Sequence, residues 1–246
     1  MALEVDSLVV AVIAAAGMGS RMGAPEGKQF ITLEGESVIH RTCQIFEDCK
    51  RVDRYLVLAS ADQVTKMRDE LSDFIDGKKL QAIIPGGGSR RDSVLMGLRY
   101  WAHLLKRDMC NGLRVIALVH DGARCLLEAS SIDKVIQIIE EQRCGAGLAA
   151  RQTDTIRILD EHGYVESTPP RSRVAAMQTP QGADLDILLQ ALEYAVEQKI
   201  DLTDDLQALE GIGYPVRLLE NSRENIKLTH PEDVDLAMFY LNKRKI

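Results

Sequence analysis

Residues 8–23 read LVVAVIAAAGMGSRMG, a run of apolar, largely β-branched residues that passes directly into a glycine-rich loop. Continuous apolar runs of this kind are typical of parallel strands that are buried on both faces of a sheet. Glycines let the backbone approach a phosphate closely, and their N–H groups can surround an anion. This stretch therefore predicts a buried strand from Leu8 to Ala14 that delivers an anion-binding loop to one edge of a sheet.

Strand-like and helix-like segments alternate along the rest of the chain. Further strands are predicted at Tyr55 to Ser60, Leu80 to Ile84, Leu113 to Val119, Ala146 to Ala150 and Pro215 to Leu219. Helices are predicted at Val38 to Phe46, Val64 to Ile75, Ser89 to Leu105, Ser130 to Glu141 (capped by Ser130 or Ser131), Ala183 to Gln198, Thr203 to Leu209 and Pro231 to Leu241. This order predicts an α/β fold with a doubly wound, mostly parallel sheet, in which ligands bind beyond the carboxyl ends of the strands.

The segment from 153 to 178 interrupts the alternation. Short strand-like pieces flank a turn at Asp160 to Gly163, and Pro169 and Pro170 follow. We expect a β-arm that projects from a single domain spanning residues 1–246. From the residues alone, an ordinary surface hairpin is the alternative.

The composition is that of a globular protein in water. Hydrophobic residues make up 46% of the 246 residues, charged residues make up 27%, and the formal net charge is -7. This balance gives no general attraction for nucleic acid or for an anionic membrane surface, so neither partner is expected.

The five cysteines are odd in number and contain no Cys-x-x-Cys pair, which favours free thiols in the cytoplasm over a disulfide framework or a zinc site. Glu4 and Asp6 before the first apolar run argue against a signal peptide.

The glycine-rich loop departs from two common phosphate-binding patterns. A dinucleotide fingerprint would have its third glycine at Met22, and a Walker A loop ending at Gly27-Lys28 would need glycine at Met22 and Ser or Thr at Gln29. The loop still brings Arg21 and Lys28 together. It is therefore either a polyanion site of another kind or a tight turn with two solvated charges.

With Lys28-Gln29-Phe30 included, the loop resembles the signature of nucleotidyltransferases that activate sugar phosphates, in particular the 2-C-methyl-D-erythritol 4-phosphate cytidylyltransferase family of non-mevalonate isoprenoid synthesis. The resemblance continues in order over nearly the whole chain, at residues 85–94, 120–124, 154–156, 171, 178–181, 203–205 and 225–229. It implies a sugar-phosphate nucleotidyltransferase fold and the transfer of CMP from CTP to a polyol phosphate, with release of pyrophosphate.

The implied reaction is an in-line attack by an acceptor phosphate oxygen on the α-phosphorus of CTP. Negative charge gathers in the transition state, so the protein needs cations and oriented N–H groups. The resemblance implies that Arg21 and Lys28 stabilise the reacting phosphorus and the departing pyrophosphate. It places Lys227 beside the bridging phosphate, although an exposed surface lysine is the alternative for that residue.

Asp121 lies just after the fourth predicted strand, where a metal ligand is expected. Mg²⁺ is bound by one or two carboxylates together with phosphate oxygens and water. The resemblance favours Asp121 as the ligand of a Mg²⁺ cofactor, and a helix N-cap is the alternative.

The resemblance also implies the binding residues. Gly87 and Ser93 are expected to recognise cytosine, and Arg124 to orient the nucleotide or Asp121. The remaining nucleotide-binding residues are Ala15, Ala16, Gly17, Gly19 and Gly122, and the acceptor-binding residues are Arg171, Thr155, Thr179 and Thr229. Because the family's arm interlocks with its twin, Arg171 and Thr155 would serve the neighbouring subunit's site in a homodimer.

Several residues depart from the family pattern. Gly122, Cys125 and Gly182 stand where alanine, proline and an aromatic residue are usual, Arg157 replaces a lysine, and residues 173–177 lack the usual tryptophan. The phosphate-binding residues are intact, whereas the acceptor side is less typical. A ribitol-5-phosphate cytidylyltransferase of cell-wall synthesis is therefore the nearest alternative, and a non-catalytic nucleotide-binding protein is the alternative of another class. A nucleotide-sugar glycosyltransferase would show Asp-x-Asp after a strand, where this chain has His120-Asp121-Gly122.

Overall fold

The computed structural model describes residues 7–17, 19–24, 26–75, 79–107 and 112–245. The strands are β1 (Leu8–Ala14), β2 (Thr32–Leu33), β3 (Glu36–Ser37), β4 (Arg54–Ala59), β5 (Leu80–Pro85), β6 (Val115–Asp121), β7 (Gly145–Arg151), β8 (Ile158–Leu159), β9 (Val165–Ser167), β10 (Ala175–Asp184) and β11 (Val216–Glu220). The helices are α1 (Val38–Asp48), α2 (Val64–Glu70), α3 (Arg90–Arg107), α4 (Ala129–Gln142), α5 (Leu185–Glu197), α6 (Leu206–Gly211) and α7 (Glu232–Lys243).

A seven-stranded sheet with the order β11-β7-β10-β6-β1-β4-β5 forms the centre of the fold. β1 pairs in parallel with β4 and β6, β4 pairs in parallel with β5, and β7 pairs in parallel with β11. β10 runs antiparallel between β6 and β7. The predicted α/β fold with a mostly parallel sheet is confirmed.

Helices cover both faces of this sheet, which is why the strands read as continuous apolar runs. Side chains of β1 alternate between the two faces. Ile13 belongs to the buried cluster that includes α1, α2 and α4, whereas Val12 belongs to the cluster that includes α3, α5 and α6. Each fully buried aliphatic side chain stabilises the fold by about 1.5–3 kcal/mol. The sheet therefore has a hydrophobic core on each of its two faces.

Parallel pairing brings the loops after β1, β5 and β6 to one edge of the sheet. Ala14, the last residue of β1, pairs directly with Asp121, the last residue of β6, and Gly122 N donates to Ala14 O at 2.9 Å. The glycine-rich loop and Asp121 therefore start from the same point. This is the edge at which the sequence predicts a ligand.

The predicted arm from 153 to 178 is too long. The arm itself is the β8–β9 hairpin, and β10 returns to the sheet at Ala175. β10 was not predicted because its sequence, AAMQTPQGAD, contains Pro180 and Gly182 and has no β-branched run. It becomes a strand because β6 and β7 offer backbone partners on both sides, and its pairing register shifts between Met177 and Gln181, around the proline.

Other differences concern element boundaries. α5 begins at Leu185 rather than Ala183, and α6 begins at Leu206 rather than Thr203. Capping of α4 by Ser130 or Ser131 is wrong, because the helix begins at Ala129 with Glu128 at the N-cap and no side-chain capping bond. α2 ends at Glu70, and a short 3₁₀ turn (Ser72–Phe74) follows it.

The cysteines that the structure describes are free and buried: Cys43, Cys49, Cys125 and Cys144. Cys110 lies outside the described residues. Burial raises the pKa of the Cys125 thiol to about 11, so Cys125 packs as a small apolar residue beside the site and is not an activated nucleophile.

None of the helices in the described part of the chain is long and apolar enough to cross a membrane.

Gly182 allows β10 to approach β6. A Cβ atom there would lie 2.4 Å from the Ala117 carbonyl oxygen and 2.7 Å from Leu118 Cδ2. This backbone has no room for any side chain at position 182, which accounts for the absence of the aromatic residue that is usual in the family.

We expect Gly182→Ala to lower the free energy of unfolding by about 1–3 kcal/mol, because β10 must move away from β6 to relieve the overlap. Urea denaturation measures the change. Gly211→Ala, in α6, is the matched control because a Cβ atom there meets nothing within 4 Å. A Gly182→Ala protein as stable as the control would contradict the close approach.

Candidate active site

A cavity of about 280 Å³ opens at the carboxyl edge of the sheet. The loop after β1, the segment between β5 and α3, and the end of β6 form its walls, and Lys28 and Lys227 enter from the sides. The lining residues are Ala14, Ala15, Ala16, Gly17, Lys28, Gln29, Gly87, Gly88, Ser89, Arg90, Ser93, Asp121, Gly122, Ala123 and Lys227. Predicted residues from four separate parts of the sequence therefore meet here.

Lys28 is held across the glycine-rich loop. Gly19 has the left-handed φ of +65°, and a Cβ atom there would lie 2.8 Å from Lys28 Cδ, so the absent side chain makes room for the lysine. Lys28 Nζ donates to the Leu228 carbonyl oxygen at 2.9 Å. Burial and the neighbouring Lys227 lower the pKa of Lys28, against the opposing effect of Asp121. A polyanionic ligand would favour the charged form by pairing with it.

Asp121 is the centre of an ion-pair cluster. Its side chain is buried; Oδ1 accepts from Arg90 Nε at 3.1 Å, and Oδ2 accepts from Lys227 Nζ at 3.0 Å and Arg124 Nε at 3.3 Å. Burial raises the pKa of Asp121, but these cations, Arg90 first among them, outweigh burial and hold the pKa well below its usual range. Because the next helix begins at Ala129, Asp121 is not a helix N-cap.

The donor set around Asp121 fits a Mg²⁺ ion that arrives with a nucleotide. Within the described residues, no group of three or more His, Cys, Asp and Glu side chains is placed to hold a metal. Mg²⁺ does not need such a group, since one carboxylate with phosphate oxygens and water is sufficient. Asp121 lines the cavity, and a Mg²⁺ ion there would compete with the cations that its two oxygens accept from. Its role as a Mg²⁺ ligand stays a prediction.

The predicted cytosine side lies in the opposite wall. Gly87 N donates to Ser93 Oγ at 3.0 Å, and Ser93 Oγ donates to the Ser89 carbonyl oxygen at 2.8 Å. A Cβ atom at Gly86 would lie 2.6 Å from Ala16 Cβ, so the two glycine-rich segments are in close contact. The Ser93 hydroxyl therefore fixes the shape of this wall.

Thr179 holds Asp121 in place through a hydrogen bond to its backbone. It is 3% exposed, its Oγ1 lies 2.9 Å from His120 Nδ1, and Asp121 N donates to the same Oγ1 at 3.0 Å. His120 Nε2 lies 3.2 Å from the Arg124 carbonyl oxygen. Thr179 therefore holds the end of β6 in this structure, and its role in acceptor binding stays a prediction.

The other predicted residues lie around the cavity or apart from it. Arg21 is exposed on a 3₁₀ turn (Ser20–Met22) and is close enough to Lys28 to lower its pKa. Thr229 donates through Oγ1 to the Lys227 carbonyl oxygen at 3.0 Å and shapes the turn that carries this lysine. Thr155 and Arg171 are exposed in the two segments that connect the arm to the sheet, and neither lines the cavity of its own chain.

Two residues of the cluster were not predicted as site residues. Arg90 lines the cavity and bridges Asp121 to Asp205, which is buried. Both belong to segments that resemble the family, 85–94 and 203–205. The only hint that the sequence offers of this contact is the opposite charge of Arg90 and Asp205, which lie in two separate segments that resemble the family.

We expect the stability of the protein to depend on the neutral form of His120. Burial lowers the pKa of His120 from 6.5 to about 4. The folded-state pKa lies below the unfolded one, so this contribution is complete above about pH 6.5 and is lost as the pH falls towards 4, by up to about 3 kcal/mol.

The measurement is urea denaturation of the wild type and His120→Gln at pH 7 and pH 5. The variant should lose less stability than the wild type on acidification, because glutamine does not titrate. Equal losses in the two proteins would show that His120 is not the responsible group.

A glycine-rich loop and two lysines beside a buried aspartate suit a nucleotidyltransferase, and the comparison with known proteins supports this class. The sequence profile of the 2-C-methyl-D-erythritol 4-phosphate cytidylyltransferase family matches residues 9–243. The chain belongs to this family, and the predicted family and enzyme class are confirmed.

Individual relatives agree with this assignment. The chain is 35% identical over 239 residues to the 2-C-methyl-D-erythritol 4-phosphate cytidylyltransferase of Desulforamulus reducens, covering 96% of this chain and 97% of the relative. It is 34% identical over 244 residues to that of Alkaliphilus oremlandii, covering 99% of each. The crystal structure of 4-diphosphocytidyl-2C-methyl-D-erythritol synthase from Anaerococcus prevotii superposes with a TM-score of 0.81 at 25% identity, covering 96% of this chain and 97% of that one.

Proposed function

We propose that this chain transfers the CMP group of CTP to the phosphate of 2-C-methyl-D-erythritol 4-phosphate, giving 4-diphosphocytidyl-2-C-methyl-D-erythritol and pyrophosphate. Family membership supports the reaction. The structural observation that carries the proposal is the meeting of Lys28, Lys227 and Asp121 in one cavity beside the glycine-rich loop. This arrangement suits the binding of a nucleoside triphosphate and the stabilisation of charge at its phosphates.

In this reaction an acceptor phosphate oxygen forms a bond to the α-phosphorus as the bond to the β-phosphate breaks. Lys28 would neutralise charge on the phosphates over the glycine-rich loop, where backbone N–H groups are also available. When bound, Mg²⁺ supplies further charge neutralisation at the phosphates, and Asp121 is the residue that would hold it.

Lys227 also lines a second cavity, of about 350 Å³, that adjoins the first. Arg124, Gln178 and Asn225 lie in its wall, and Asn225 Oδ1 is buried with no hydrogen-bond partner among the residues that the structure describes. We assign this cavity to the acceptor. Lys227 then stands where the acceptor phosphate meets the nucleotide.

Arm residues complete the proposed assembly. Tyr164 is 74% exposed, and Ile158, Leu159 and Val165 are also exposed, which leaves apolar surface of the arm uncovered in a single chain. A second copy of the chain would cover it and would bring Arg171 and Thr155 to the neighbouring site. We therefore propose a homodimer of a single-domain enzyme, and its free thiols support a cytoplasmic location.

The first test is pyrophosphate release from CTP and Mg²⁺ with 2-C-methyl-D-erythritol 4-phosphate as the acceptor. We expect strong release, and a fall of about a hundredfold or more in Arg21→Ala, because a preorganised cation is lost from the phosphates. An unchanged melting temperature of the variant serves as the folding control.

Ribitol 5-phosphate is the comparison acceptor in the same assay. Equal or faster turnover of ribitol 5-phosphate would overturn the proposed acceptor while keeping the reaction. CTP binding without pyrophosphate release with either acceptor would overturn the enzymatic proposal.

The intersubunit role of the arm predicts complementation between two inactive variants. Arg21→Ala damages a subunit's own site, whereas Arg171→Ala would damage its partner's. In a mixed dimer one site then carries both changes and the other carries none, so mixing the two variants after mild dissociation should restore activity.

Each variant taken alone through the same dissociation step is the control. If Arg171 serves its own subunit, both sites of the mixed dimer stay damaged and no activity returns. Size-exclusion chromatography with light scattering measures the dimer directly.

A further inference from the structure

Arg90 connects the second glycine-rich wall of the cavity and Asp121 to a buried acid, Asp205. It is the first residue of α3, directly after the wall that contains Gly87. Its Nη1 and Nη2 donate to the Asp205 carboxylate oxygens at 2.9 and 2.8 Å, and its Nε donates to Asp121 Oδ1 at 3.1 Å. One guanidinium therefore bridges two carboxylates.

Asp205 is fixed independently of Arg90. It is 2% exposed, and its backbone N donates to Gln181 Oε1 at 3.0 Å. Gln181 belongs to β10, next to β6 in the sheet. The acid is thus anchored to the same sheet that carries Asp121, and Arg90 spans the gap between the two.

The planar fork of arginine is required for this bridge. Two donors of the fork point to one carboxylate while Nε points to the other, whereas a lysine ammonium is a point charge without such geometry. Burial lowers the pKa of Arg90, but the carboxylates of Asp205 and Asp121 outweigh burial and raise it, so the guanidinium is permanently charged.

We infer that Arg90 and Asp205 are positioning residues for the nucleotide. Asp205 holds the guanidinium of Arg90, and Arg90 in turn fixes the Asp121 carboxylate and the start of α3 in the arrangement that accepts CTP. Asp205 acts only through Arg90. The inference rests on the proposed function, because it takes CTP as the bound nucleotide.

The direction in which Asp205→Asn changes the affinity for CTP distinguishes a positioning role from a purely electrostatic one. Burial raises the pKa of Asp205, but the bidentate contact with the Arg90 guanidinium favours its charged form. Asp205→Asn therefore removes a negative charge from a site that binds a polyanion. Charge alone would make CTP bind more tightly. Loss of positioning makes CTP bind more weakly, because Arg90 loses its anchor and no longer holds Asp121 and α3 in place.

The experiment measures the Kd of CTP by titration calorimetry, with KM values for CTP and for the acceptor and with kcat. In Asp205→Asn and in Arg90→Lys we expect the Kd and KM for CTP to rise about tenfold, the effect of losing a charge-assisted bidentate contact. The KM for the acceptor should stay unchanged. Neither variant should bind CTP more tightly than the wild type.

The chain offers a matched control for each change. Asp184 forms a similar contact with Arg114, with Nε to Oδ1 at 2.7 Å, at the opposite end of β6, so Asp184→Asn removes an equivalent ion pair far from the cavity. Arg91, the next residue of α3, donates to the Ile200 carbonyl oxygen, so Arg91→Lys changes the same residue type without touching either aspartate. Both controls should leave the Kd of CTP unchanged, even where they lower the melting temperature.

A double-mutant cycle tests whether Asp205 acts through Arg90. If it does, Asp205→Asn has no further effect on the Kd of CTP in an Arg90→Lys background. Additive effects, tighter CTP binding by Asp205→Asn, or a loss of stability with an unchanged Kd would each overturn the inference. A wild type that does not bind CTP would instead overturn the proposed function, so the two failures are distinguishable.

Discussion

The buried carboxylate of Asp121 determines how the site is organised. It is charged in a place where burial opposes charge, and Arg90, Arg124 and Lys227 make this possible by surrounding it. Leaving such a charge unpaired in the interior would be strongly destabilising. Each of these cations comes from a different segment of the chain, with Arg90 at the start of α3, so the requirement to neutralise one aspartate also fixes the relative positions of the segments that form the cavity.

The rest of the cavity follows from this requirement and from backbone geometry. Arg124 Nη1 donates to the Asn225 carbonyl oxygen at 2.8 Å, which ties the loop carrying Lys227 to the end of β6. Lys28 Nζ is bonded to the Leu228 carbonyl oxygen in the same loop. An acidic chain thereby concentrates positive charge at one edge of its sheet, and this local charge attracts a polyphosphate despite the overall negative charge of the protein.

The parts that could be predicted from sequence are those whose physical cause is local. The buried strand from Leu8 to Ala14 has the predicted ends, because its apolar run and the glycines after it depend on no distant residue. β10 was missed because its partners, not its composition, make it a strand. The same distinction holds in the site. Lys28 and Asp121 follow from motifs, whereas the bridge from Arg90 to Asp205 joins residues far apart in sequence, and no spacing rule indicates that they meet.

The late position of β10 in the chain has a consequence for biosynthesis. β6 and β7 are not neighbours in the sheet, since β10 lies between them. While the chain is being made, both strands leave the ribosome before their shared partner does, and each presents open backbone N–H and C=O groups in the meantime. Unpaired strand edges of this kind invite pairing with other nascent chains. A folding chaperone that covers the open edges of β6 and β7 until β10 has been synthesised would raise the yield of active protein. It would do so without contacting the completed active site.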